Sequence, residues 1–146
     1  MGTRLKNKVA VVTGSGQGIG RAIALGLAEE GAKLVVNNRS PNTPNGTAAD
    51  VAKEIKDAGG EAVAVFADVS TMDGGQKVIQ TAIDNFGRID ILVAVAGILR
   101  DRMIFNMTEE EWDAVVAVHL KGTFTVLKYA SILMRQQRSG RIITFS

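Results

Sequence analysis

The chain has 146 residues, 46% of them hydrophobic and 22% charged, and its 17 basic and 15 acidic residues leave a formal net charge of +2. This length and composition are typical of one globular domain, and the interspersed charges argue against a nucleic-acid-binding surface. Because the chain has no Cys and one His, disulfides and thiolate or His-rich metal centres are excluded, and we expect no metal site.

The first residues, MGTRLKNKVA, contain no apolar run of signal-peptide length. No later stretch approaches the length of a membrane span. We therefore expect a cytoplasmic protein that has neither a membrane nor a nucleic acid as a partner.

Short apolar runs then alternate with amphipathic segments along the chain. Four runs are typical of strands buried on both faces of a parallel sheet: VAVVT (9–13), AKLVVNN (32–38), AVAVFADV (62–69) and RIDILVAVAG (88–97). Helical spacing predicts helices in residues 21–32, 47–60 and 72–87, and Gly31 and Gly59 mark helix ends. This alternation predicts parallel strands with right-handed crossovers and helices on both faces of the sheet.

The pattern changes after the fourth strand. In MTEEEWDAVVAVHL (107–120), Thr108 and Glu111 have capping-box spacing, which predicts a helix with an apolar set: Trp112, Val115, Val116 and Leu120. A separate helix is expected from about Thr123 to Arg138. The terminal RSGRIITFS then predicts a fifth strand, which we expect to be buried.

Glycines recur in TGSGQGIG (13–20), at the turn from the first strand into the first helix. Gly14 permits a tight turn, Gly18 lets a phosphate approach the backbone, and Gly20 permits close packing of the helix on the strand. The start of the helix presents unpaired N–H groups to a pyrophosphate. A glycine-rich turn without a ligand is the alternative, but the flanking strand and helix favour nucleotide binding.

Four segments together resemble the short-chain dehydrogenase/reductase family over about residues 6–146: TGSGQGIG, ADVS (67–70), GRIDILVAVAGILRD (87–101) and HLKGTF (119–124). The resemblance implies an α/β fold with a Rossmann-type, doubly wound parallel sheet, incomplete here with about five strands of an expected seven. It also implies NAD(P)(H)-dependent hydride transfer to or from a small-molecule carbonyl or secondary alcohol. Within the family, GILRDRM and EEEWDAVVAVHLKGTF are most similar to 3-oxoacyl reductases and the (3R)-hydroxyacyl-CoA dehydrogenase module of multifunctional enzymes, which suggests a 3-oxoacyl thioester as substrate.

The resemblance assigns further cofactor contacts. Three residues would lie along the phosphates: Ser15, Gln17 and Ile19. Asp68 would accept a hydrogen bond from the adenine amino group, and the backbone of Val69 would help to hold the ring. Ala96 and Gly97 would line the ribose and nicotinamide side of the cleft. For Asp68, a turn-forming Asp after a strand is the alternative.

The end of the second strand bears on the choice of cofactor. An Asp or Glu in place of Asn38 would bond the ribose 2′-hydroxyl of NAD, whereas Asn38 is neutral and Arg39 follows it. A 2′-phosphate would meet no repulsion there and would gain a charge-assisted contact. We therefore predict NADP(H) in preference to NAD(H), with a solvated loop Arg as the alternative.

The sequence departs from the family pattern at two places within the cleft. The usual Asn-Asn-Ala-Gly is replaced by Ala94, Val95, Ala96 and Gly97, which puts the rigidity of that strand end in doubt. The position of the family's catalytic Asn holds His119, the single His of the chain. We predict a part for His119 in a proton relay, the alternative being a packed, hydrogen-bonded His.

The family's catalytic Ser and its Tyr-x-x-x-Lys pair are not found in these residues. Ser146 falls one place short of the Ser, and Tyr129 has Lys128 beside it rather than a Lys four residues later. We therefore expect residues 1–146 to be the N-terminal, dinucleotide-binding part of a single-domain reductase, inactive alone and forming a homo-oligomer, as a tetramer, when complete. A non-catalytic nucleotide-binding module is the alternative function.

Overall fold

A computed structural model describes all of residues 1–146. Five parallel strands form one sheet in the spatial order β3-β2-β1-β4-β5. The strands are β1 (Val9–Thr13), β2 (Lys33–Asn38), β3 (Ala62–Phe66), β4 (Ile91–Ala94) and β5 (Arg141–Thr144). The helices are α1 (Gly18–Glu29), α2 (Ala48–Asp57), α3 (Met72–Phe86), α4 (Glu109–Val115) and α5 (Gly122–Gln137). A short 3-10 turn covers Ile104–Asn106. None of these helices is long and apolar enough to cross a membrane.

Helices cover both faces of the sheet, as the alternation of elements predicts. On one face Val9 and Val11 of β1 pack in a cluster that includes side chains of α3 and α5. On the other face Ala10 and Val12 pack with side chains of α1 and α2. Successive residues of a strand point to opposite faces, so a sheet covered on both sides requires apolar residues at every position of its central strands. The fold is therefore the predicted incomplete Rossmann-type α/β sheet.

At the carboxyl edge of the sheet, β3 and β4 end before the apolar runs that predict them. β3 ends at Phe66, which pairs with Asn38, the last residue of β2. β4 ends at Ala94, which pairs with Thr13, the last residue of β1. Because a strand needs a hydrogen-bonded neighbour, each ladder stops where its partner stops, and the residues beyond are free to line a cleft.

The local signals at helix ends are mostly confirmed. Gly31 and Gly59 have positive φ and lie two residues after the ends of α1 and α2, and Gly87, also at positive φ, directly follows α3. The predicted capping box of α4 is only half formed. The Thr108 side chain accepts from the Glu111 N–H at 3.2 Å, but the Glu111 carboxylate pairs with Arg102 at 3.1 Å instead of returning to the backbone.

The prediction of two separate helices after β4 is wrong. Helical backbone runs without a break from α4 to α5 through a π-helical segment, Val116–Lys121, because Gly122 keeps helical angles of φ −61° and ψ −35°. The apolar side chains predicted for the first helix do not belong to the hydrophobic core. Trp112 is 59% exposed and Leu120 is 69% exposed, since only α5 packs closely on α3.

The expected burial of the fifth strand is also wrong. Every residue of β5 is exposed. β5 lies at the edge of the sheet beside β4, and the core clusters on the two faces include none of its side chains.

Candidate functional site

A cleft of about 360 Å³ lies at the carboxyl edge of the sheet, beside the loop from β1 to α1. Open α/β sheets bind ligands at this edge, where the order of the strands reverses. Here the chain proceeds outward from β1 to β2 and β3, and then returns to place β4 on the other side of β1. Most of the predicted cofactor-binding residues line the cleft: Gly14, Gln17, Ile19, Gly20, Asn38, Arg39, Asp68, Val69, Ala96 and Gly97.

The backbone of the β1–α1 loop leaves no room for a side chain at Gly14 or Gly20. Gly14 has φ +60°, and a Cβ at this position would lie 2.7 Å from Ala96 Cα, so only Gly lets the two loops approach. A Cβ at Gly20 would overlap the Gly14 carbonyl oxygen as α1 packs on the loop. Gly18 has φ +58° with open space in front of it, and no side chain caps the start of α1. Backbone N–H groups are thus open to a ligand here.

Ser15 does not face the cleft. It is completely buried, and its hydroxyl donates to the Val12 carbonyl at 2.7 Å and accepts from the Asn37 N–H at 2.9 Å. These bonds tie the glycine loop to β1 and β2. The hydroxyl of Ser15 is thus used within the protein, and the expected place of Ser15 along the phosphates stays a prediction.

Asn37 is a residue that the sequence reasoning missed. Its buried side-chain amide donates to the carbonyls of Val65 and Ala67 at 3.1 and 3.2 Å, and its Oδ1 accepts from the Gly14 N–H at 3.3 Å. One side chain thus joins β2 to β3 and to the glycine loop. The available signal was an Asn directly after the apolar residues 34–36 of a predicted buried strand, since buried polar groups need partners.

Thr13 braces the strand end at which the family's Asn pair is absent. Its Oγ1 accepts hydrogen bonds from the backbone N–H groups of Val95 and Ala96 at 3.1 and 3.2 Å. The loop after β4 is therefore fixed to the last residue of β1. This hydroxyl supplies part of the support that the sequence pattern had put in doubt.

Asp68 and Arg39 face each other across one end of the cleft. Asp68 Oδ1 accepts from the backbone N–H and the hydroxyl of Ser70 at 2.9 and 2.6 Å, and its Oδ2 lies 3.7 Å from Arg39 Nε. Burial disfavours the charged form of Asp68, but the Ser70 hydrogen bonds and the Arg39 charge outweigh it and hold the pKa of this carboxyl below its ordinary value. Asp68 therefore remains an ionised acceptor at neutral pH.

His119 lies in the π-helical segment, next to the loop after β4. Its Nε2 is 2.7 Å from the Ile98 carbonyl oxygen and 3.0 Å from the Ile98 nitrogen, and its ring lies against Gly97. It borders a second, mostly apolar cavity of about 620 Å³ that adjoins the cleft at Gly97 and Ile98; the other lining residues are Leu99, Arg100, Met107, Glu111, Trp112 and Val115. π-helical segments recur at functional sites because they reposition individual side chains.

Comparison with known proteins gives one consistent result. The family described as short chain dehydrogenase matches residues 8–146. Peroxisomal multifunctional enzyme type 2 of Drosophila melanogaster is 50% identical over 98% of this chain and 24% of its own length. The 3-oxoacyl-[acyl-carrier-protein] reductase of Synechocystis is 47% identical over 99% of this chain and 57% of its own length.

Two solved structures are similar to this chain in fold. The crystal structure of a short chain dehydrogenase from Mycobacterium avium superposes with a TM-score of 0.88 at 46% identity, over 96% of this chain and 54% of that chain. A putative short-chain alcohol dehydrogenase from Sinorhizobium meliloti gives the same TM-score at 34% identity. This chain thus spans about half of the length of the two crystallised proteins, 54% in each case.

Proposed function

The chain belongs to the short-chain dehydrogenase family, and from this premise we propose that the complete protein is an oxidoreductase that binds NADP(H), in preference to NAD(H), in the cleft beside the glycine loop. The observation that carries this proposal is the start of α1, where open space faces Gly18 and no side chain caps the helix. A side chain at Gly18 would occupy that space, whereas a pyrophosphate would meet free N–H groups and the positive end of the helix dipole.

The residues of this chain would hold the dinucleotide along the cleft. Gln17 and Ile19 border the phosphates, Asp68 and Val69 lie at the adenine end, and Ala96 and Gly97 lie toward the nicotinamide end. A bound nicotinamide would supply or accept the hydride. Asp68 suits its part because its carboxyl remains ionised and its Oδ2, which lies 3.7 Å from Arg39 Nε, accepts no hydrogen bond from the chain. We propose that residues 1–146 form the dinucleotide-binding part of a single-domain enzyme.

A 3-oxoacyl or hydroxyacyl thioester is the substrate class that we propose. Two relatives are named as a 3-oxoacyl-[acyl-carrier-protein] reductase and a hydroxyacyl-CoA dehydrogenase. The mostly apolar second cavity adjoins the end of the cleft and suits an acyl chain. His119 borders it, so its ring nitrogens would be near a carbonyl that accepts hydride, where a proton must also be delivered. Cytoplasmic location stays a prediction, and several relatives are named peroxisomal.

The proposal is tested by titrating the complete protein with NADP(H) and NAD(H). We expect tighter binding of NADP(H), and Arg39→Ala should weaken NADP(H) binding by about tenfold with little change for NAD(H), since one charge-assisted contact to the 2′-phosphate is lost. Arg135→Ala is the matched control, because Arg135 is exposed on α5 and does not line the cleft.

Absence of binding of either dinucleotide would contradict the proposed function. Equal affinities, or a preference that Arg39→Ala leaves intact, would contradict the NADP(H) assignment alone. Binding without turnover of any carbonyl or secondary alcohol would favour the non-catalytic module.

A further inference from the structure

The loop between β2 and α2 forms one wall of the cleft. Thr43 and Gly46 both line it. Gly46 has φ +117°, and a Cβ at this residue would lie 2.9 Å from the Gly16 carbonyl oxygen, so the loop is in close contact with the glycine loop. We define residues 40–46 as the wall loop. Its position sets the width of the cleft at the end where Asn38 and Arg39 lie.

The side chain of Asn38 holds the wall loop at two points and the start of α2 at a third. Its Nδ2 donates to the Ser40 carbonyl at 2.6 Å and to the Thr43 hydroxyl at 2.9 Å. Its Oδ1 accepts from the Ala48 N–H at 2.8 Å, at the first turn of α2. The Thr43 hydroxyl in turn donates to the Ser40 carbonyl at 2.9 Å. Both amide protons of Asn38 are thus used within the protein, and neither remains to donate to a ligand.

We propose that Asn38 is a positioning residue that controls dinucleotide affinity through the wall loop, and not by donating a hydrogen bond to the ribose. The inference rests on the proposed function, since it assigns how the same cleft is shaped. An Asp in this place would keep the oxygen that accepts from the Ala48 N–H. Its second oxygen would replace the amide nitrogen and face the Ser40 carbonyl oxygen, so that neither atom of this contact could donate a hydrogen bond. The carboxylate that favours a ribose 2′-hydroxyl therefore also releases the loop.

Two readouts on the unliganded protein separate the bonds of Asn38. Trypsin cleavage between Arg39 and Ser40 reports release of the wall loop, and hydrogen exchange at the Ala48 amide reports the bond to α2. Asn38→Asp should speed cleavage by about fivefold or more while the Ala48 amide stays protected. Asn38→Ala should speed both, because it also removes the acceptor for Ala48.

The partner residue provides a matched pair of variants. Thr43→Val removes the acceptor of Asn38 with little change of volume, and Thr43→Ser keeps the hydroxyl. We expect Thr43→Val to speed cleavage and to weaken NADP(H) binding by about fivefold with unchanged urea unfolding of the whole protein, and Thr43→Ser to behave as wild type. In a double-mutant cycle, Thr43→Val should have a smaller effect in Asn38→Asp than in the wild type, because both variants remove the Asn38–Thr43 bond and only Thr43→Val also removes the Thr43–Ser40 bond.

Wild-type cleavage rates in Asn38→Asp and Thr43→Val, with unchanged NADP(H) affinity, would overturn the proposal. Additive effects in the cycle, or weakened binding in Thr43→Ser, would overturn it as well, since Thr43 would then act independently of Asn38. If the wild-type protein bound no dinucleotide, the proposed function would fail, whereas the cleavage and exchange pattern would still decide whether Asn38 holds the loop.

Discussion

Single polar side chains hold the loops that form the cleft. Thr13, Ser15 and Asn37 each make at least two hydrogen bonds to backbone groups of another segment. Backbone groups beyond the strand ends have no ladder partner, so buried side chains must satisfy them. Substitutions at these residues should shift the backbone of the loops that form the cleft. Substitutions at residues that only line the cleft should change only the contacts of the substituted side chain.

His119 permits a test of catalysis at the residue scale. In the complete protein, His119→Ala should lower kcat by about a hundredfold or more with nearly unchanged dinucleotide affinity, because a positioned acid–base group contributes to proton transfer and not to cofactor binding. His119→Asn, which restores the residue type usual in the family, should retain most of the activity. Steady-state kinetics measures kcat, and dinucleotide titration measures the affinity, for both variants. Unchanged kcat in His119→Ala together with a lower free energy of unfolding would instead assign His119 to packing.

Asp90 connects the amino ends of the strands and makes stability depend on pH. Its buried carboxylate accepts from the Val9 N–H at 2.9 Å and pairs with both Arg88 Nε and Nη2 at 2.8 and 2.6 Å. Burial raises the pKa of Asp90, but the hydrogen bonds from Arg88 and Val9 outweigh it, so the pKa lies below the ordinary 3.8. A lowered pKa contributes stability above pH 3.8 that is lost as the pH falls through the folded-state value.

We therefore expect Asp90→Asn to lower the free energy of unfolding at pH 7 by about 2 kcal/mol and to have a smaller effect toward pH 2. Urea unfolding of both proteins at the two pH values checks this. Asp57→Asn is the control, because the Lys53–Asp57 pair is exposed and should contribute little to stability. An equal loss for Asp90→Asn at both pH values would contradict the assignment.

At the scale of elements, the contact between α3 and α5 depends on one small residue. A Cβ at Gly75 would lie 2.5 Å from Thr125 Cβ. The buried Thr125 hydroxyl donates to the Val69 carbonyl at 2.6 Å, so this contact also supports a residue that lines the cleft. The π-helical segment directly precedes α5, and its backbone therefore depends on how α5 is seated.

Two Gly→Ala substitutions separate packing from helix propensity. Gly75→Ala should lower the free energy of unfolding by about 1–3 kcal/mol, because the added methyl group overpacks the α3–α5 contact. Gly26→Ala, in α1, should raise it by up to about 1 kcal/mol, because nothing lies within 4 Å of the added Cβ and Ala favours helix. Thermal or urea unfolding measures both. A raised free energy of unfolding in Gly75→Ala would show that helix propensity, and not packing, dominates at Gly75.

At the scale of the whole molecule, each face of the sheet has its own core, while large apolar side chains remain exposed on the α4–α5 run and on β5. Phe124 is 55% exposed and Ile132 is 48% exposed, both on α5. Exposed apolar surface of this kind favours association with another chain. The predicted homo-oligomer of the complete protein would bury it.

We expect the complete protein to have the mass of an oligomer by light scattering, and Phe124→Glu with Ile132→Glu to shift it toward the monomer, because two charges would be placed in an apolar contact. Lys128→Ala is the control, since Lys128 is exposed on the same helix and the change introduces no charge. An unchanged mass in the double variant would exclude this surface as the interface.

The sequence by itself determined the elements whose signals are local. The runs around Val9–Thr13 and Lys33–Asn38 predict central strands because burial on both faces demands apolar residues at successive positions. Gly31 and Gly59 predict helix ends through their freedom at positive φ. Most of the candidate cleft followed as well, because parallel strands bring their carboxyl ends, and the residues after them, to one edge.

Only the tertiary structure decided features that depend on partners distant in the chain. β3 and β4 stop where their neighbours stop, and Ser15 turns inward because the backbone of Asn37 needs its hydroxyl. The break between helices that was expected near Gly122 is absent, because Gly122 keeps helical backbone angles although glycine could adopt others. β5 has the composition of a buried strand but lies exposed at the sheet edge. Composition sets what a segment can bury, whereas burial itself is decided by which other segments come to cover it.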